Sequence, residues 1–332
     1  MSDSAIIEIR QALNEDSTQI IDLLNDVFLP QQRTAGKRTS SYFDWKFLSS
    51  PFGKSILTVA TVEDEIIGID HLWPWELHFN NDLFRAYEAT DAVVKKEFRG
   101  KRILEQMRSY GIKQAANEKA DFLFNFPNHQ SLKTNINYGY KYLGKIKWWV
   151  KPLRPVQIMK SLIGISSNDS NKPEAFTMNY APLNLSLLEH LHNNFLPKKL
   201  ITINRTQGYF QYRYIDKHNS RYGQLTYKQE IAAIFTININ DGVKEMVILE
   251  ILGDKSFIKE LLKIITNKAK EFGCAFVAVI NDNLLLNKGL LLEGFLPKKE
   301  KNMVVYPLKE QLKLEIDKFS SWNLTASLHD SI

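Results

Sequence analysis

One stretch of this chain combines residue types and spacing that could do chemistry: Val93-Val94-Lys95-Lys96-Glu97-Phe98-Arg99-Gly100-Lys101-Arg102-Ile103-Leu104. It reads as a strand, a short basic loop and the start of a helix. That order suits a pyrophosphate, because free N–H groups of a first helical turn point outward and the helix dipole favours negative charge there. Gly100 lets the backbone come close to an anion, and Arg99, Lys101 and Arg102 surround it with positive charge. Basic residues at a helix start also serve as ordinary solvated surface, so the segment needs its context. Other constellations are empty. The seven histidines, His71, His78 and His129 among them, have no metal-ligand spacing, and no metal is expected. Cys274 is the single cysteine; it precedes an apolar run and reads as a small core residue.

The elements that would position this segment follow from periodicity. Residues 6–10 have strand character, residues 14–17 supply capping oxygens, and Ile20, Ile21, Leu23, Leu24, Val27 and Phe28 share one helical face. Residues 56–60 and 66–69 flank a polar turn and predict a hairpin. Further strands are expected near 72–79 and up to Val94. A helix follows on Ile103, Met107, Tyr110, Gly111 and Gln114, then a buried strand at 122–126. Asn128 opens a helix that stops at Gly139, and residues 140–151 predict a strand pair. The pattern is mixed α/β (α+β) with an antiparallel beginning.

The chain also repeats itself. Tyr42-Phe43-Asp44-Trp45-Lys46-Phe47 matches Tyr209-Phe210-Gln211-Tyr212-Arg213-Tyr214 in its order of aromatic, polar and basic residues. Asn128, Gly139 and Pro152-Leu153 recur 155 positions later as Asn283, Gly294 and Pro307-Leu308. An apolar strand precedes each Asn, and an aromatic, Tyr140 or Phe295, follows each Gly. A duplicated α/β unit explains these matches in one order. The expected division is a first unit over 1–155, a linker over 156–180 centred on the polar stretch 164–174, and a second unit over 181–332.

Bulk properties agree. A chain of 332 residues suits two domains of about 150 residues. Hydrophobic residues at 44% and charged residues at 24% describe a folded globular protein. The net charge of +6 is spread along the chain, with no block of the kind that marks a nucleic-acid tail. No nucleic-acid partner is therefore expected. Apolar runs at 56–60 and 276–280 fall far short of the ~20 residues of a membrane span. With no signal-like N-terminus and one thiol, a cytoplasmic location is expected. Oligomeric state is not legible.

The segment around Arg99 resembles the acetyl-CoA-binding motif of the GNAT superfamily, Arg/Gln-x-x-Gly-x-Gly/Ala, preceded by Val-x-Pro-x-aromatic-Arg-Gly. Val94 and Arg99-Gly100-Lys101 match it. Ile9-Arg10-Gln11-Ala12 with Asp16 is similar to the family's opening, and Asn128 eleven residues before Gly139 matches the spacing of its last helix. Trp45-Lys46-Phe47 with Pro51, Phe126-Pro127-Asn128, and Trp322-Asn323-Leu324-Thr325 resemble a subgroup of long bacterial GNAT proteins, often linked to surface-polysaccharide genes. The likeness covers about 6–153 well and 205–330 loosely.

The resemblance implies two GNAT-like units, each a mixed, mostly antiparallel sheet flanked by helices, and an N-acyltransferase using acetyl-CoA or another acyl-CoA. A small-molecule amine is the implied acceptor, an amino sugar of a polysaccharide precursor being the first choice. Val93, Val94, Arg99, Gly100, Lys101, Arg102, Ile103, Leu104 and Asn128 are the implied cofactor contacts. In such folds the fourth and fifth strands part, often at a bulge, to admit the pantetheine arm, and a backbone N–H near Val94 would polarise the thioester carbonyl. The amine must lose a proton. Glu88 and Asp91 are the candidate bases; three apart on a regular strand, they should face opposite sides, so only one should line the cleft. The family's usual tyrosine acid is replaced by Asn135, and Tyr138 and Ser131 are substitutes by proximity. Arg102 and Leu104 stand where the family prefers small residues, though neither forbids helical backbone. In the second half Gly253-Asp254-Lys255-Ser256-Phe257 lacks the Arg-Gly pair, so no cofactor is expected there. Two other readings compete: an aminoacyl-tRNA-dependent transferase, and a non-catalytic degenerate binding module.

Overall fold

The computed structural model of the chain describes residues 6–29, 37–162, 182–217, 221–240, 242–280, 284–309 and 313–328. Asn283 and most of the expected linker, including 164–174, lie outside them. In the first part of the chain, β1 (Glu8–Gln11) leads to α1 (Ser17–Phe28) and α2 (Ser40–Phe43), which continues as a π-helical turn, Asp44–Leu48. Then come β2 (Ile56–Val62), β3 (Glu65–Phe79), β4 (Asp82–Val94), α3 (Ile103–Asn117), β5 (Phe122–Asn125), α4 (His129–Asn137), β6 (Lys141–Pro152) and α5 (Pro155–Leu162). The rest comprises α6 (Leu185–Asn194), β7 (Thr202–Ile203), α7 (Gln207–Phe210) with a π-helical turn Gln211–Ile215, β8 (Gly223–Tyr227), β9 (Ile231–Asn240) and β10 (Val243–Gly253). It ends with α8 (Ile258–Glu271), β11 (Phe276–Ile280), α9 (Leu284–Leu292), β12 (Leu296–Pro307) and α10 (Lys313–Ile316).

The strands form one mixed sheet in the order β1-β2-β3-β4-β5-β12-β6-β11-β10-β9-β8, with β7 on β3. Among the described strands only β4–β5 and β10–β11 pair in parallel. The two segments expected at 66–69 and 72–79 are a single strand, β3, because Asp70 and His71 between them pair across to β2 like their neighbours. The strand pair expected over 140–151 is a correction. That stretch is one strand, β6, whose partners come from the far end of the chain: β11 on one side and β12 on the other. In turn β12 pairs with β5, from Val304↔Asn125 to Pro307↔Phe122. The two last strands are thus exchanged, each completing the sheet that the other's preceding helix has left open.

The repeated aromatic segments meet each other against Trp73 of β3. Trp45 and Tyr212, which occupy the same place in each repeat, stack at 5.3 Å and 21°. The Trp45 indole N–H donates to the Tyr212 carbonyl at 2.8 Å, and the Trp73 indole donates to the Tyr212 hydroxyl at 3.0 Å. Buried indole N–H groups usually find such partners. Trp73, Trp75 and Trp149 are buried, so the tryptophans serve packing. Trp322 near the C-terminus packs against Phe122 and Phe124 of β5 at 5.6 and 6.0 Å, tying the tail to the first part of the chain. On the other face, α3 is held by a buried pair between Arg108 and Asp70 of β3, and Arg108 also donates to the Tyr140 hydroxyl at 3.1 Å. Cys274 is a buried core residue whose thiol burial pushes up to about 11. No helix among the described residues is long and apolar enough to cross a membrane.

Candidate active site

β4 and β5 run side by side only from Ala86↔Phe122 to Glu88↔Phe124. Beyond that point β4 continues six residues to Val94, while β5 ends at Asn125. The strands part and leave a wedge whose apex is at Glu88. Helix α3 begins at the open end of β4, so the loop 95–102 forms the mouth.

A bulge follows three residues beyond the parting. Ile69 pairs with Val93 and His71 with Thr90, so Asp91 and Ala92 together oppose the single residue Asp70. Asp91 adopts the left-handed conformation, φ 45°. Bulges re-aim a side chain, and here the expected opposition of Glu88 and Asp91 is overturned. Glu88 lies directly across from Trp73 and shares its face. The extra residue turns Asp91 to that face as well. Its Oδ2 accepts from Lys46 Nζ at 2.5 Å, and Lys46 Nζ in turn lies 5.3 Å from the Trp73 ring.

Asp91 is therefore an anchored anion. Besides Lys46 it has His71 Nδ1 at 3.7 Å, Thr90 Oγ1 at 3.5 Å and Arg38 Nη2 at 3.9 Å. His71 Nδ1 and Thr90 Oγ1 are 2.9 Å apart. Burial alone would push the Asp91 carboxyl up. Lys46, His71 and Arg38 outweigh it and hold the group well below the usual carboxylate range. A carboxylate so stabilised has little affinity for a substrate proton. Glu88 is also buried, at the apex of the wedge. Lys46, His71, Thr90 and Arg38 were not singled out from sequence as site residues. Lys46 had a signal, being the basic residue inside the repeated aromatic motif.

At the mouth, Val93 and Ile103 are buried, Leu104 is half-buried against the same α3-side cluster as Ile103, and Arg99, Gly100, Lys101 and Arg102 are exposed. The Arg99 Nε donates to the Val94 carbonyl at 3.1 Å, which lays its guanidinium along the strand end. Among the described residues no side chain caps the start of α3, so its first N–H groups stay available to an outside acceptor. Gly100 has φ +84°, and a Cβ there would meet nothing within 4 Å. The cradle is open, basic and backbone-rich, which fits a phosphate. Arg102 is a correction: it is not helical but left-handed, φ 58°, just before Ile103. This explains the family's preference for glycine at that place, since a β-carbon costs roughly 1–2 kcal/mol in this conformation.

The residues on and beside α4 make contacts within the protein. Asn128 caps α4, its Oδ1 accepting from the Ser131 N–H at 2.8 Å. Asn135 is buried; it accepts from Asn125 at 3.1 Å and donates to the Ser131 carbonyl at 2.8 Å. Tyr138 ends the helix and packs into the cluster of Tyr87, Ala89, Ala115 and Tyr140. Tyr87 and Ala89 alternate with Glu88 and so face the other side of the sheet. Tyr138 is thus not brought to the carboxylates.

The second half repeats the wedge. β10 and β11 pair only as far as Ile248↔Val279, a bulge at Leu249 follows, and β10 runs on to Gly253. Its mouth differs. A Cβ on Gly253, φ +104°, would lie 2.2 Å from the Glu230 carbonyl oxygen. The Asp254 N–H donates to that oxygen at 2.8 Å, and the Asp254 carboxylate accepts from the Ser256 N–H at 2.8 Å. The protein's own anion fills the place that a ligand's anion would take.

Residues 8–142 match the family model of the acetyltransferase (GNAT) domain. No curated protein matches the chain in sequence. Among solved structures the chain is similar to a probable N-acyltransferase of Enterococcus faecalis, at 12% identity and TM-score 0.67, covering 94% of this chain and 74% of that one. It is similar to a GCN5-related N-acetyltransferase of Anabaena variabilis at 12% identity and TM-score 0.66, over 93% and 75% of the two chains. It is also similar to Saccharomyces cerevisiae N-myristoyltransferase with bound myristoyl-CoA, at 12% identity and TM-score 0.59, over 92% and 85%. At these identities the likeness is one of fold.

Proposed function

Because the chain belongs to the GNAT superfamily of acyltransferases, we propose that it moves an acyl group from acyl-CoA, acetyl-CoA first, to the amine of a small molecule. The observation that carries this reading is the parting of β4 and β5 at Glu88, with the uncapped start of α3 at its mouth. Gly100 and the N–H groups after it would hold the pyrophosphate, with Arg99, Lys101 and Arg102 neutralising its charge. The backbone between Val93 and Val94 would flank the thioester arm and donate to the carbonyl oxygen. CoA supplies an activated acyl group and a thiolate that leaves. Glu88, at the wedge apex, takes the proton from the attacking amine. Asp91 acts on position only, by fixing Lys46 beneath the bulge. Asn128 holds α4 in register, and Tyr138 carries no step.

The same reading divides the chain into a catalytic unit over 1–155 and a second unit over 181–332 that shapes the acceptor side, with a cytoplasmic location. An amino sugar of a surface-polysaccharide precursor is the acceptor we would try first; that choice rests on the family likeness. The test is a calorimetric titration with acetyl-CoA and with desulfo-CoA, followed by thiol release in the presence of amines. One-to-one micromolar binding and amine-dependent thiol release are expected. Folded protein that binds neither form of CoA would sink the proposal.

A further inference from the structure

A cavity of ≈ 240 Å³ opens inside the second wedge, between the far ends of β10 and β11. Its wall is mostly apolar, with Leu191, Ile248, Leu252, Val279 and Leu286 among the lining residues. An apolar cavity of roughly 150 Å³ already takes up benzene, so this one is large enough for a longer aliphatic group. Strands in a sheet lie about 4.8 Å apart. A wedge opened between two of them suits a single thin chain.

Three charged or titratable side chains and one histidine reach the same space. Arg205 and Glu250 satisfy each other through two bonds of 2.9 Å. Glu250 Oε1 also accepts from Tyr209 at 3.0 Å, Tyr214 at 3.3 Å and Ser327 at 2.5 Å. That pair is closed and sums to zero. Lys255 is left over. It is half-buried along its stem with its amine turned inward, donating to the Ile251 carbonyl at 2.6 Å. An ammonium has three hydrogens, so two remain. His192 is 4% exposed, and among the described residues its Nε2 has no hydrogen-bond partner. An unpartnered buried ring nitrogen costs free energy that a ligand's polar atom would recover.

We propose that this cavity is a second ligand site, for a small aliphatic carboxylate whose chain lies between β10 and β11 and whose head meets Lys255 and His192. The ligand carries no pyrophosphate, because the Asp254 carboxylate already occupies the adjoining turn. The site is thus distinct in kind from the first wedge, and the inference stands on the second half alone. Lys255 also makes the site sensitive to protons. Burial and Arg205 lower its pKa to about 7, against the opposing pull of Glu250 and Asp254, while burial and the charge of Arg205 push His192 to about 2 and keep it neutral. A carboxylate favours the charged amine, so affinity should fall as the pH rises through 7.

Octanoate is the probe, titrated calorimetrically into the full chain. One-to-one binding is expected. Lys255→Met should weaken it roughly ten- to a hundredfold, the value of one charge-assisted bond. Leu286→Phe, which fills the cavity without touching the head, should weaken it too. Saturating desulfo-CoA should leave octanoate affinity unchanged. The proposal falls if folded wild-type protein does not bind octanoate, if Lys255→Met binds it as well as wild type, or if desulfo-CoA displaces it. The last outcome would put the chain in the first wedge.

Discussion

The turn after β4 and the turn after β10 start from the same geometry and end in opposite electrostatic states. Each follows a parallel pair that parts before the longer strand ends, and each has a bulge in the longer strand within three residues beyond the parting. In the first, an open Gly100 and three exposed basic residues lead into a helix without a side-chain cap. In the second, Gly253 is pressed against the Glu230 carbonyl and Asp254 caps the turn itself. A helix start needs an anion or an equivalent acceptor. The first turn leaves that acceptor to come from outside, and the second builds it in. Two wedges of one design therefore suit different ligands, and the difference rests on a handful of side chains.

Several substitutions would break or sharpen that contrast. The largest effect is expected from Glu88→Gln, which should lower kcat by about 10²- to 10⁴-fold while acyl-CoA affinity is kept. Steady-state kinetics beside a binding titration would check it, and an unchanged kcat would remove Glu88 from the chemistry. Next come the carboxylates beside the two bulges. Asp91→Asn leaves Lys46, and Glu250→Gln leaves Arg205, as buried cations short of their counter-charge. Each should cost about 3–5 kcal/mol in urea unfolding. For Asp91 the folded pKa is depressed, so its contribution is fully present above its unfolded value near ~3.9 and is lost as pH falls below that. Stability of the wild type should drop there more steeply than that of Asp91→Asn.

Smaller effects separate the two mouths. Gly253→Ala must displace backbone and should destabilise by about 3 kcal/mol; Gly100→Ala meets only the conformational penalty and should cost about 1 kcal/mol. Equal losses in thermal melts would mean that the first cradle is as closed as the second. The smallest expected change is in affinity. Arg99→Glu should weaken CoA binding about tenfold, less at high salt, while Asp254→Ala should leave it alone. If both variants bind CoA like wild type, the pyrophosphate is not held at α3.

Much of the cradle was readable from sequence because it is local. Strand, glycine, basic residues and helix start follow one another within twelve positions, and each carries its own conformational preference. Arg102 was misread because a left-handed residue before a helix leaves no mark in hydrophobic periodicity. Asp91 was misread for a related reason: one inserted residue shifts the facing of a strand side chain, and period-2 alternation cannot show where the insertion falls. Lys46, His71 and Arg38 were missed as its partners because a contact between distant segments has no local signature. The repeated aromatic motif was visible, but not that Trp45 would stack on its own counterpart Tyr212.

The sequence by itself determined most of the helices and strands, the recurring aromatic motif and the order of glycine and basic residues at the first mouth, since these follow from side-chain period, capping and charge order over short stretches. The tertiary structure alone decided which strands pair. Nothing in the local patterns of β6 and β12 names their partners, and only the assembled sheet, in which each finds two neighbours, selects their exchange. It alone decided, too, that a bulge turns Asp91 onto Lys46, and that the second wedge encloses a cavity rather than a core. Those outcomes depend on how separate segments fill a shared space, and no single segment encodes that.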